Sequence, residues 1–237
     1  MNKSTSIIIP AFKEEEKIKN TLIGIITSFQ KEKIKFEILV IIDLIPNDKT
    51  FDIVKDLSTS FNEIKIITRN GKLGVASAIK EGILRASNEI SLIVMGDLSE
   101  SPEDLVKMIL KMNSGYDMVF ANRFTQKSTF HQYPYKKFIV NRICNWTAKT
   151  LFHINSKDIT NAVKAYKSSI LKNIVITSTS FEIFLELPLK VYIEGNKNFT
   201  EIPSSHFAGD PKNSKFSIIK DGPKYVKILI NCLTFLH

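Results

Sequence analysis

Through the first 120 residues, short apolar runs alternate with segments of helical period, and this limits the chain to few folds. The runs are Thr5–Pro10, Phe36–Ile42, Ile64–Thr68, Ile90–Met95 and Asp117–Ala121. Between them, Ile18, Leu22, Ile25 and Ile26 recur at helical spacing, as do Phe51, Val54 and Leu57, then Ala76, Ile79 and Ile83. Strands that are apolar almost throughout are buried on both faces. The pattern therefore predicts an α/β fold: a mostly parallel central sheet with helices on both faces. Such sheets bind ligands beyond the carboxyl ends of their strands. Asp43 and Asp97 each follow a strand end, so they are expected along one edge.

The stretch Ser91–Glu103 carries the sharpest chemical signal. Apolar residues run into Gly96, then come Asp97, Ser99, Glu100 and Ser101, and Pro102 opens a helix with acids in its first turn. Asp97 reads in two ways: as a turn residue, or as a carboxylate holding a divalent cation beside the phosphates of a substrate. Asn70–Gly74 is a Gly-containing turn leading into a helix, a place where a backbone can approach phosphates closely.

Beyond residue 121 the alternation breaks. From Met118 to Lys157 there are 40 residues without Asp or Glu, among them Arg123, Lys127, Lys136, Lys137, Arg142, Lys149 and Lys157. Those seven supply most of a net charge of +9 and favour an anionic partner. Residues 135–152 read as a basic amphipathic helix with Arg142, Asn145 and Lys149 at three- and four-residue spacing. Such a helix either lies on a membrane surface or packs with its basic side solvated. A return strand is expected over Asp158–Lys167, a helix over Phe181–Gly195 broken or kinked at Pro188, and a strand over Asn198–Ile202. An amphipathic segment closes the chain. No apolar run reaches the ~18 residues of a membrane span. Cys144 and Cys232 form neither a metal motif nor a disulfide framework. No nucleic-acid-binding motif accompanies the basic run, so nucleic acid is not an expected partner. The first residues enter a strand without a signal-peptide core. The expected location is cytoplasmic, on the cytoplasmic face of a membrane.

Several separated segments, in order, resemble one family. Ile7–Glu15 is similar to "VVIPAYNEE", Val40–Asp43 to "VVDD", and Gly71–Ala86 to a "GLGxAxxxGxxxA" pattern. Asp97–Glu103 resembles the tail of "DADLQHPPE", Asp117–Phe124 resembles "DVVIGSRY", and Asp158–Tyr166 resembles "DxTSGFRAY". Ser180–Ile183 and Ser214–Phe216 resemble two later motifs. The chain thus looks like a family 2 glycosyltransferase of the GT-A fold, in the branch of dolichol-phosphate mannosyltransferases and polyprenyl-phosphate sugar transferases. The resemblance covers residues 5 to 216.

The resemblance implies a transferase domain over 1–216, divided into a nucleotide-sugar half, 5–121, and an acceptor half, 122–216. The C-terminal amphipathic segment, 217–237, follows. Pro10, Ala11, Phe12, Glu14, Asp43, Lys72, Gly96 and Asp97 would hold the nucleotide-sugar. Asp97, helped by Ser99 or Glu100, would ligate Mg²⁺ or Mn²⁺. Arg123, Arg142, Asn145 and Lys215 would hold a polyprenyl phosphate, with Asp97, Arg123 and Arg142 carrying catalysis. Transfer would invert the anomeric carbon at the membrane surface, reached directly or through a membrane-protein partner. Met95 stands where the first Asp of "DAD" belongs, Ile42 replaces an acid, and Asp210 lies where an Arg is usual. Three readings of the reduced cradle stay open. The cation binds through Asp97 and substrate phosphates alone, basic side chains replace it, or the chain is a degenerate nucleotide-sugar-binding subunit. A saccharide or other hydroxyl acceptor is the remaining alternative, and it needs a base, for which Glu182 is the nominee.

Overall fold

The computed structural model describes residues 3–71, 73–97, 99–125, 135–204 and 217–234. Its core is a seven-stranded sheet in the order β3-β2-β1-β4-β6-β5-β7. The strands are β1 (Thr5–Ala11), β2 (Phe36–Leu44), β3 (Ile64–Asn70), β4 (Ile90–Ile93), β5 (Met118–Asn122), β6 (Lys164–Lys167) and β7 (Phe199–Pro203). All neighbours run parallel except β6, which lies antiparallel between β4 and β5. The helices are α1 (Ile18–Lys31), α2 (Thr50–Ser60), α3 (Val75–Arg85), α4 (Pro102–Asn113), α5 (Tyr135–Phe152), α6 (Ser168–Leu171), α7 (Ile183–Ile193) and α8 (Ile218–Thr234).

The strand pleat divides the core. Ile7, Ile9, Val40 and Leu92 face one side, with Leu22, Ile25 and Phe29 of α1 and Leu105 and Ile109 of α4. Ile8, Leu39, Ile41 and Ile93 face the other side, with Ile79 and Ile83 of α3 and the inner faces of α5, α7 and α8. This is the expected helix-covered, mostly parallel sheet. Gly82 sets how closely α3 approaches β1: a Cβ there would lie 2.3 Å from Ile8 Cγ2.

Several elements differ from expectation. Strand β2 runs on through Asp43 to Leu44, and the return strand expected over Asp158–Lys167 is confined to Lys164–Lys167. The first helix begins at Ile18, just after the acids Glu14–Glu16. Those residues form a turn pinned by Lys13 N–H to Asp48 Oδ2 (3.0 Å) and Glu14 N–H to Thr50 Oγ1 (3.0 Å). Strand β4 stops at Ile93, not Met95. Ile8 O accepts Val94 N–H at 3.0 Å. The next β1 residue on that side is Pro10, which has no N–H to continue the ladder. Helix α7 passes through Pro188 without ending. Proline there cannot donate to the Phe184 carbonyl, and the buried Lys164 Nζ donates to that oxygen instead, at 3.1 Å.

A candidate nucleotide-sugar and acceptor site

The chain moves outward from β1 through β2 to β3, then returns to place β4 on the other side of β1. That reversal is the switch point at which open α/β sheets bind ligands. Pairing of β1 with β4 ends at Ile8↔Ile93, whereas pairing with β2 continues to Ala11↔Ile42. Pro10 and Ala11 therefore line the β2 side of a split whose other side is the loop 94–101.

That loop is held by α1 and α4. Thr21 Oγ1 donates to Gly96 O at 3.0 Å. A Cβ on Gly96 would lie 3.1 Å from Glu14 Cγ, so glycine permits the close approach. At the far end Ser101 caps α4, its Oγ accepting Asp104 N–H at 3.2 Å, with Pro102 opening the helix. Asp97, half-buried, lies between these anchors. Its Oδ1 accepts Ser99 N–H at 3.2 Å, and Oδ2 makes no hydrogen bond among the described residues. Ser99 Oγ is turned away and donates to the buried Glu100 at 2.7 Å.

No group of three His, Cys, Asp or Glu side chains is gathered as a metal cradle among the described residues. One carboxylate with an open oxygen nevertheless suits Mg²⁺ or Mn²⁺, since such ions often take one or two protein carboxylates and complete their shell with water and phosphate oxygens. Ser99 is already engaged, so Asp97 is the better-placed ligand of the pair.

Asp43 is placed differently from the direct nucleoside contact expected of it. It is buried; Oδ2 accepts Leu73 N–H (3.0 Å) and Gly74 N–H (3.2 Å), and Oδ1 pairs with Arg69. Its carboxylate thus braces the Gly-containing turn, where Gly71 and Gly74 have φ of +75° and +86°. Phe12 and Glu14 lie half-buried just past β1. Lys72 and Lys215, and with them Asp210, fall outside the described residues.

The acceptor side is organised around Asp158, a residue the sequence reading quoted only within a motif. Asp158 is 0% exposed and accepts from Arg123 three times: from Nε and Nη2 at 2.8 Å each, and from the backbone N–H at 3.0 Å. Burial pushes this carboxyl up, and the adjacent guanidinium overrides it, holding the group below the usual aspartate range. Arg123 is therefore committed to a buried fork-shaped pair. Asn141 Nδ2 also donates to Asp158, at 3.1 Å, while Asn141 Oδ1 accepts from Arg142. The Arg142 guanidinium lies 4.1 Å from the Phe124 ring centroid and donates to Lys157 O at 2.7 Å. Asn145, expected to meet an acceptor, is buried and occupied: Nδ2 donates to Asn141 O (2.7 Å) and Oδ1 accepts Ile159 N–H (2.8 Å). Arg123, Arg142 and Asn145 thus do come together, as one bonded cluster in which Arg142 is the half-exposed outer member.

Glu182 caps the turn into α7. Its Oε1 accepts Thr179 N–H (2.7 Å) and Ser180 N–H (3.0 Å), and Oε2 is buried with no hydrogen bond among the described residues. Beneath the site, Lys164 is fully buried and donates to Asn161 O and Phe184 O. Burial brings its ammonium down to about 7, against the opposing pull of Asp158. An acid that ends a 40-residue acid-free stretch was the sequence signal for Asp158. A Lys inside an apolar strand was the signal for Lys164.

Residues 6–175 match the family described as glycosyl transferase family 2, well over half the chain, and the chain belongs to that family. Among curated relatives, the dolichol-phosphate mannosyltransferase of Pyrococcus furiosus is 24% identical over 187 residues, 78% of this chain. The chain spans about half, 52%, of that relative's length. Among solved structures, glucosyl-3-phosphoglycerate synthase from Mycobacterium tuberculosis, in complex with Mn²⁺, UDP and phosphoglyceric acid, superposes with a TM-score of 0.74. It is 10% identical, covering 98% of this chain and 78% of that one. The same enzyme with Mg²⁺ and UDP gives 0.71 at 11% identity, covering 98% and 80%. The likeness establishes the GT-A fold expected from the sequence.

Proposed function

We propose that the chain transfers a sugar from a nucleoside diphosphate sugar to a polyprenyl-type phosphate, with inversion at the anomeric carbon and at a membrane surface. The observation that carries this reading is the contrast between carboxylates at the site. Among the described residues Asp97 Oδ2 makes no hydrogen bond, whereas Glu182 and Asp158 are buried and Glu182 Oε1 is already bonded. A hydroxyl acceptor requires an accessible base. A phosphate acceptor does not, because its oxygen is already anionic. That oxygen forms the new bond to the anomeric carbon as the bond to the diphosphate breaks, and the electron pair leaves with the nucleoside diphosphate. No proton has to be removed.

The chain's part is positioning and charge. The split between Pro10 and the 94–101 loop accepts the donor, and the Asp43-braced turn sits beside it. Arg142, stacked on Phe124 and oriented by Asn141, meets the acceptor phosphate. Arg123 acts by holding Asp158 and the loop that carries it. Asp97, with the donor phosphates, is the ligand for a divalent cation, which when bound supplies charge neutralisation of the departing diphosphate. The named activity of the Pyrococcus furiosus relative supports the polyprenyl acceptor.

The test is transfer of labelled sugar from a panel of nucleotide-sugars to polyprenyl phosphate, 3-phosphoglycerate and free saccharides. Label extracted with polyprenyl phosphate, and lost in Arg142→Ala while nucleotide binding persists, is the expected outcome. Transfer to a saccharide in its place, or nucleotide binding without transfer to any acceptor, overturns the reading.

A further inference from the structure

Helix α5 presents its polar side to the protein and its apolar side to the outside. Asn141, Asn145, Ala148 and Phe152 point inward, where the two asparagines serve Asp158 and Ile159. Tyr135, Ile139, Ile143 and Trp146 recur four, four and three residues apart on the opposite pole. Ile143 is 56% and Trp146 67% exposed. Helix α8 packs against α5 and α7 and also carries an outward apolar stripe, here opposite an apolar buried side. Tyr225, Ile228 and Cys232 are buried, while Ile219, Val226 and Ile230 face out. The demands of the site explain the inward asparagines. They do not explain two outward apolar stripes on adjoining helices, a feature that marks an interaction surface.

Charge selects the partner. Helix α5 contains no Asp or Glu. The single acid of α8, Asp221, is buried and bonded to Ser180 Oγ (3.1 Å) and Ser217 N–H (2.8 Å). Lys149, Lys220 and Lys227 are exposed beside the stripes. An apolar stripe with a basic flank and no outward carboxylate complements an anionic bilayer surface. Tryptophan favours the headgroup boundary of such a surface. Among the described residues no helix is long and apolar enough to cross a membrane, so the helices would lie in the interface.

We propose that the outward faces of α5 and α8 dock the chain on an anionic membrane surface, with Trp146 at the headgroup–acyl boundary. This deepens the reading of a membrane-borne acceptor and rests on it for its purpose, but its test needs no acceptor. The probes are phosphatidylcholine vesicles with and without phosphatidylglycerol, free of polyprenyl phosphate. The readouts are flotation and the emission of Trp146, the only tryptophan in the chain. Flotation and a blue shift with the anionic vesicles, both weakened by salt, are expected. Lys220→Glu with Lys227→Glu lowers the partition coefficient roughly tenfold or more. Ile143→Ser with Val226→Ser and Ile230→Ser does so as well, by roughly a hundredfold or more, with unchanged circular dichroism. No flotation with unshifted emission overturns docking, and so does a concentration-dependent dimer that shifts Trp146 without vesicles. Transfer to detergent-dispersed polyprenyl phosphate by a chain that does not float overturns docking alone; flotation by a chain that transfers nothing supports docking and overturns the enzymatic reading.

Discussion

Arg123→Ala removes the guanidinium from Asp158 and leaves a fully buried carboxylate with, among the described residues, Asn141 Nδ2 and the residue-123 backbone N–H as its donors. Both partners are well sequestered, the Arg123 side chain being 13% exposed, so screening by water is weak. Breaking a buried pair by deleting one partner costs about 3–5 kcal/mol, because the other charge stays behind. At this chain length each kcal/mol shifts Tm by about 2–4 °C, so the variant melts roughly 6–20 °C below the parent. Arg123→Lys keeps the charge but not the two parallel bonds, and it falls between the two. Arg123→Met combined with Asp158→Asn removes both charges and costs less than Arg123→Ala alone. Urea denaturation followed by far-ultraviolet circular dichroism measures all four proteins. If Arg123→Ala unfolds within about 1 kcal/mol of the parent, the pair is not the bracket of the acceptor side.

Two further outcomes follow from buried groups. The folded chain releases the Lys164 proton near pH 7, whereas the unfolded chain holds it to about 10.5. Between these values the unfolded state binds more protons, so stability rises with pH, by up to about 1.4 kcal/mol per unit. Lys164→Met abolishes that rise, as urea titrations at pH 7 and pH 9 will show, and exposes the cost of leaving Phe184 O unpaired above Pro188. Gly82→Ala drives a methyl group into Ile8 and destabilises the chain by roughly 1–3 kcal/mol in the same assay, despite alanine's better helix propensity.

The sheet half of the molecule was legible because strands buried on both faces are written as unbroken apolar runs. The edge shared by Asp43 and Asp97 followed from strand ends alone. What escaped was set by contacts distant in sequence. Pro188 reads as a helix break or a kink; that the helix continues there reflects Lys164, from another strand, serving the Phe184 carbonyl. Arg123 and Asn145 read as ligand contacts because polar residues in a basic stretch look outward; Asp158 and Ile159, brought in from beyond α5, draw both inward. For the same reason the periodicity of α5 identified a helix with an apolar stripe and did not reveal that the stripe faces away from the protein.

Calorimetric binding of a nucleoside diphosphate panel, in Mg²⁺ or Mn²⁺ and in chelator, probes Asp97 most directly. At least one nucleoside diphosphate binds the parent chain with cation present. Chelation and Asp97→Asn each weaken it by roughly tenfold or more, about 1.4 kcal/mol, and together cost no more than either alone. Equal affinity in all four conditions would remove Asp97 and its cation from the site.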